Sequence, residues 1–194
     1  RGSNYFDAIH FTPDIDNKSV NVKFYFQEKM KNNSSIKLNI KTDKGVINKK
    51  FTIRKGQLSS SFNVSIPDMR LWSLDDPFLY KVEASLDDDQ VESYFGMRKV
   101  SVVNLPDSEF PYVALNNKPI YLQFALDQSY HQDGFYTFPT DQFMKEEIIR
   151  SKSIGLNGIR IHIKTEIPRK LYWADKLGLL VVEDLPNSWG EPNK

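Results

Sequence analysis

The chain has 194 residues, 40% hydrophobic and 26% charged, which supports a packed core in one or two domains and excludes a disordered polymer. Its 26 basic and 25 acidic residues leave a formal charge of +1, so no basic excess exists to neutralise phosphates, which argues against nucleic acid as the main partner. Cysteine is absent, which excludes disulfides and thiolate metal sites, and no run of about 18 apolar residues is present to span a membrane.

Arg1-Gly2-Ser3 reads as a cloning remnant, so the lack of a visible signal peptide carries no weight and the compartment stays open. From there to residue 104 the chain reads as short alternating strands. Val20, Val22, Phe24 and Phe26 share one face; Ile36, Leu38 and Ile40 repeat the pattern, as do Phe62, Val64 and Ile66, and then Tyr80, Val82, Ala84 and Leu86. A period of two puts one face in a core and the other in water. Turn-forming stretches separate the runs: Asp14 to Asn17, Asn32-Asn33, Asp43-Lys44-Gly45, Lys55-Gly56 and Asp87 to Asp89. Seven or so strands at this spacing predict an all-β, immunoglobulin-like antiparallel sandwich over 1–104.

Residues 105–111, LPDSEFP, read as a linker. From 112 to 194 the pattern becomes α/β. Asn116-Asn117 predicts a turn before a strand from Ile120 to Leu126. A helix follows Pro139, with Thr140 or Asp141 as N-cap, a stripe of Met144, Ile148 and Ile149, and Gly155 just past its end. Ile159 to Ile163 is the second strand. Pro168 suits the first turn of a second helix, whose inner stripe is Leu171, Ala174 and Leu177 and whose end is Gly178. Leu179 to Val182 is the third strand. This order predicts a parallel sheet with right-handed crossovers.

The second strand carries unusual chemistry. Arg160, His162 and Lys164 alternate with Ile159, Ile161 and Ile163. Side chains alternate faces, so the isoleucines are expected under the helices and the three cationic or titratable groups on the opposite face. Buried unpaired charges are costly, so the row needs acidic partners or an open polar site. Asp127 follows the first strand, and Glu183 and Asp184 follow the third, all at the carboxyl end of the sheet, where α/β folds gather functional groups. Two readings stand for each: a site residue, or a structural ion-pair partner. Tyr130, His131, Phe135, Tyr136 and Phe138 crowd the loop after the first strand, either to line a ligand or to cover the sheet. Trp72 and Trp173 read as core, while Trp189 fits either the site or a packing role. His10, His131 and His162 lack metal-ligand spacing, and no Gly-rich phosphate loop or G-x-S-x-G elbow occurs, so neither metal nor cofactor is expected.

Several segments, in order, resemble glycoside hydrolase family 2, which contains β-galactosidases, β-glucuronidases and β-mannosidases. They are LWSLDDPFLYKVEASL (71–86), YFGMRKVSV (94–102), LNNKPIYLQFALDQSYHQDGFYTFPTD (115–141) and GLNGIRIHIKTEIPRKLYWADKLGLLVVEDLP (155–186). The last two look closest to a β-galactosidase-like branch. The resemblance implies that 112–194 is the beginning of a (β/α)8 barrel, with its first three strands and two helices. It implies a carbohydrate substrate, and it places Arg160 beside the catalytic carboxylates and Asp184 where the family has an acidic residue. With His162, Lys164, Asp127 and Trp189, these are the expected substrate-binding residues. The sequence departs from the family at Leu122-Gln123-Phe124, at His162-Ile163-Lys164 and at Leu185-Pro186-Asn187, which leaves the sugar unassigned.

Family members are retaining enzymes with two glutamates about 5 Å apart. These follow the fourth and seventh barrel strands, and this chain has no Asn-Glu dipeptide to supply the first. The expectation is therefore a glycosidase fragment, inert by itself, with an incomplete barrel. That barrel is expected to leave Ile159, Ile161, Leu179 and Val181 as apolar surface and to drive self-association. The competing reading is a module that binds carbohydrate, or another partner, without cleaving it.

Overall fold

The structure, a computed structural model, describes residues 4–106 and 108–186. The chain divides into two compact units, one comprising Arg1–Trp72, Phe78–Val102 and Ala114–Lys118, the other Ser73–Pro77, Val103–Val113 and Pro119–Lys194.

In the first unit lie β1 (Phe6–Asp14), β2 (Ser19–Phe26), β3 (Ser34–Lys41), β4 (Val46–Ile53), β5 (Ser59–Ser65), β6 (Tyr80–Leu86) and β7 (Asp89–Phe95). They form two antiparallel sheets, β1-β2-β5 and β4-β3-β6-β7, which bury their alternate residues in one cluster. Val20, Val22, Phe24 and Phe26 of β2 and Ile36, Leu38 and Ile40 of β3 are all buried in it. Each such side chain stabilises the fold by about 1.5–3 kcal/mol relative to exposure. Phe62 is only partly buried, because it stacks on Phe51 at the rim, with ring centroids 4.1 Å apart.

Two of the segments that carry the family resemblance touch each other here. The Trp72 indole is fully buried, and the backbone N–H of Trp72 donates to Met97 O at 2.9 Å. A Cβ on Gly96 would lie 3.2 Å from the Trp72 side chain, so a glycine lets the strand pass close. The Arg98 guanidinium lies 4.5 Å over the same indole ring. Tyr80, at the start of β6, forms a tyrosine corner: its hydroxyl accepts from Arg70 N at 2.7 Å and donates to Arg70 O at 3.2 Å.

Next come β8 (Val100–Asn104), β9 (Pro111–Leu115) and β10 (Lys118–Pro119), a small sheet in the order β10-β9-β8. Asn116 and Asn117 turn the chain between β9 and β10 with φ of 52° and 65°, left-handed values that asparagine tolerates.

In the second unit, β11 (Phe124–Asp127), α1 (Asp141–Ser153), β12 (Gly158–Ile161), α2 (Pro168–Leu177) and β13 (Leu180–Glu183) give a parallel sheet in the order β11-β12-β13. Thr140 caps α1 by accepting from Phe143 N at 3.0 Å. Pro168 opens α2, and Gly178 ends it at φ 78°. Ile148 and Ala174 from the helices meet Ile159 and Ile161 of β12 and Leu179, just before β13, in a second core.

Four expectations are corrected. The first parallel strand starts at Phe124, not Ile120: Ile120 N donates to Val113 O, and the Asn157 side chain bonds Tyr121 O and Gln123 N in place of a ladder. Ile149 is 45% exposed, one position off the α1 stripe that Met144 and Ile148 define. Ile159, Ile161 and Leu179 do not form open apolar surface, because they are buried against the helices, and Val181 packs partly buried against the same core. Trp173 is half-buried at the edge of that core rather than inside it.

Candidate functional site

The register of the parallel sheet fixes which side chains share a face. Leu126, Arg160 and Val182 are cross-strand partners, and so are Asp127, Ile161 and Glu183 one position on. Ile161 is buried toward the helices, so the first trio lies on the face away from them. Leu126, Arg160 and Val182 are all exposed. Further back on that face, the Phe124 ring lies over Gly158: a Cβ there would come within 2.0 Å of it. Glycine at 158 thus makes room for the phenylalanine that floors the face.

Arg160 is held by Asp184 through two hydrogen bonds, Nε to Oδ1 at 3.1 Å and Nη2 to Oδ2 at 2.9 Å. This fork geometry fixes the guanidinium plane and leaves its other N–H groups directed elsewhere. The Arg160 hydrogen bonds hold the Asp184 carboxyl below the usual carboxylate range. His162 extends the row, with Nδ1 3.2 Å from Gln128 Oε1, while its backbone N–H donates to Asp127 O at 3.0 Å.

Two expected members of the row stand elsewhere. β12 ends at Ile161, and Ile163 takes φ 50°, so strict alternation stops before Lys164. Lys164 instead reaches Glu166 Oε1 at 3.1 Å and donates to Tyr136 O at 3.1 Å. Asp127 pairs not with the row but with Lys170, whose Nζ lies 2.5 Å from Asp127 Oδ2. The cause is parity: Asp127 is in register with Ile161, on the helix-facing side. Trp189 lies outside the described residues.

Lys170 centres a network that the sequence reading missed. It is only 1% exposed, 3.3 Å from Glu147 Oε2 and 3.9 Å from Glu166 Oε2. Glu166 is itself buried, accepts from the Ser129 hydroxyl and from Ile167 N, and its own N–H donates to Glu183 Oε1 at 2.5 Å. Burial pushes the Glu147 carboxyl up, against the pull of Lys170. The available signal was the spacing Glu166 to Lys170, an i,i+4 pair straddling the start of a proline-led helix. Among the described residues, no group of three or more His, Cys, Asp or Glu side chains is arranged to hold a metal ion.

The chain thus carries an antiparallel β-sandwich and a parallel β/α unit with charged groups at the carboxyl ends of its strands. Comparison with known proteins narrows this. The model of the family described as "Glycosyl hydrolases family 2" matches residues 4–98. A β-galactosidase of Thermoanaerobacterium thermosulfurigenes is 29% identical over 181 residues, covering 89% of this chain and 23% of that protein. The solved structure of a GH2 β-galacturonidase from Eisenbergiella tayi bound to galacturonate shares the fold at TM-score 0.77 and 20% identity, over 95% of this chain and 33% of that one. The Parabacteroides merdae β-glucuronidase does so at TM-score 0.74 and 22% identity, over 94% and 24%. The chain is thus similar to members of glycosyl hydrolases family 2 along most of its length, and the family model itself matches residues 4–98. It spans about a quarter of the length of that β-galactosidase.

Proposed function

We propose that this chain is the sandwich (1–104), linker (105–111) and first three barrel strands (112–194) of a retaining β-glycosidase acting on β-galactosides. The observation that carries the proposal is the Arg160–Asp184 pair on the face of β12 and β13 away from the helices. In a closed (β/α)8 barrel that face is the interior, and the carboxyl ends of its strands border the substrate. Sugar hydroxyls are good acceptors for a guanidinium fixed in plane, and His162 extends the polar row beside it. The similarity to a β-galactosidase supports the choice of substrate class.

A retaining mechanism needs two carboxyl groups about 5 Å apart, one acid/base and one nucleophile. On the open face Asp184 is already engaged by Arg160, and Asp127 faces the other way. We assign both catalytic glutamates to positions outside this chain. The chain alone then leaves nitrophenyl β-D-galactopyranoside intact, whereas a polypeptide carrying all eight barrel strands releases nitrophenol. Turnover by the 194-residue chain would overturn the assignment.

A non-catalytic glycan-binding role is the second reading, favoured by the lack of an unengaged carboxylate among the described residues of this face. A calorimetric titration separates it: galactoside binding by a full-length protein that shows no turnover would favour it. Exposed Leu126, Val182 and Leu185 on or just beyond the open face are the surface through which the isolated chain self-associates. A monodisperse monomer in light scattering at high concentration would count against that.

A further inference from the structure

We propose that Tyr130, Phe135 and Tyr136 form a stacking platform for a second sugar ring, adjacent to the one at Arg160; this rests on the carbohydrate reading above. Aromatic side chains normally gain by burial, yet these three, within seven residues, are 60%, 63% and 67% exposed. The loop that carries them is firmly built. Ser129 is buried at its base, its N–H donating to Asp127 Oδ1 at 2.7 Å and its hydroxyl to Glu166. His131 and Phe135 exchange two backbone hydrogen bonds of 2.8 and 2.7 Å. The His131 ring packs inward on Phe143, at 4.8 Å between centroids, while its neighbour Tyr130 points out.

The three outer rings are arranged relative to one another. Tyr130 stands edge-on to Phe135 at 6.0 Å and 73°, and to Tyr136 at 6.3 Å and 88°. A T-shaped contact covers at most one face of one of its two rings, and Lys164 Nζ lies 5.8 Å over Tyr136, so ring surface remains open to a ligand, in keeping with the exposure of all three. The loop is also tied to the strand that carries Arg160: Lys164 donates to Tyr136 O, and Gln128, just before the loop, touches His162. A pyranose suits this surface, since its C–H groups pack on ring faces while its hydroxyls meet the two tyrosine hydroxyls.

The test titrates the chain with methyl β-D-galactopyranoside and with lactose, following isotope-labelled tyrosine rings by NMR. Lactose is expected to bind about fivefold more tightly, the equivalent of one aromatic contact, and to shift the Tyr130 and Tyr136 signals. Tyr136→Ala and Tyr130→Ala should close the gap between the two sugars, and Tyr136→Phe should keep it. Equal affinities, a gap that survives both alanine variants, or tyrosine signals that neither sugar moves would overturn the platform. So would alanine variants that instead abolish self-association, which marks the rings as a contact between copies. Arg160→Ala reports separately on the underlying reading. If it leaves both affinities unchanged while Tyr136→Ala still closes the gap, the role of Arg160 fails and the platform stands.

Discussion

Lys170→Met removes the single cation at the centre of a buried acidic cluster. In the parent chain its ammonium faces Asp127 at 2.5 Å, Glu147 at 3.3 Å and Glu166 at 3.9 Å, and it lies 4.6 Å over the Phe138 ring. Methionine preserves most of the side-chain volume, so packing contributes little to the change. What remains among the described residues is three neighbouring carboxylates, with Lys164 on Glu166 as counter-charge. Breaking a buried ion pair from one side costs about 3–5 kcal/mol, and that is the loss expected near neutral pH. The pH dependence has a definite sign. Carboxyls with raised folded pKa values bind protons more readily in the folded state, so they destabilise it above those values and cease to do so below the unfolded ones. Glu147 is raised already in the parent, by burial. Without Lys170 its rise is larger, so the deficit of the variant should shrink steadily as pH falls toward about 4. Urea unfolding followed by helical circular dichroism is the assay, because both helices of the chain's described residues lie in the affected unit. A loss under about 1 kcal/mol at neutral pH, or one that does not shrink in acid, would refute the reasoning.

Three further predictions address single contacts. Tyr80→Phe deletes the hydroxyl that bonds both backbone groups of Arg70 and should destabilise the sandwich by about 1–3 kcal/mol in urea titrations. Gly158→Ala drives a methyl group into the Phe124 ring and should cost about 1–3 kcal/mol in thermal unfolding; Phe124→Leu in the same chain should recover part of it, a coupling that a double-mutant cycle measures. The Asp141 carboxyl is lowered from 3.8 to about 2 by hydrogen bonds from Arg169 and then Trp173. Its contribution to stability is therefore present above about 3.8 and lost as pH falls toward 2, and Arg169→Met should move its NMR titration midpoint back up.

The sandwich was legible because its strands alternate cleanly: reading every second residue of β2, β3 and β6 gives the buried list directly. Helix ends were legible for a similar reason, since Thr140, Pro168 and Gly178 each do one local job that few other residues do. The start of β11 was not. Its upstream residues are apolar, but the backbone bonding there is supplied by the Asn157 side chain, a contact 34 positions away in sequence. The tyrosine corner was likewise hidden, because Tyr80 fits the alternation as any apolar residue would. Within the candidate site, Arg160, His162 and Asp184 share a face by simple parity. Lys164 departs from it through one left-handed residue, Ile163, and a β-branched side chain gives no local cue for that conformation.

The same parity separates the charges into two systems with different physics. On the open face a single guanidinium meets a single carboxylate, both solvated enough that the pair mainly fixes orientation. On the helix side Lys170 is enclosed with Asp127, Glu147 and Glu166, where loss of one partner leaves charge uncompensated away from water. The systems meet at Asp127, whose side chain is gripped by Lys170 while its carbonyl accepts from the N–H of His162. The buried network thereby sets the height of the strand ends and of the loop that begins at Ser129. Lys170, on the helix side, is thus linked through Asp127 to His162 on the open face. The sequence-level question of why a strand should carry arginine, histidine and lysine together has a divided answer. Arg160 and His162 belong to the open face, and Lys164 belongs to the network that holds that face in place.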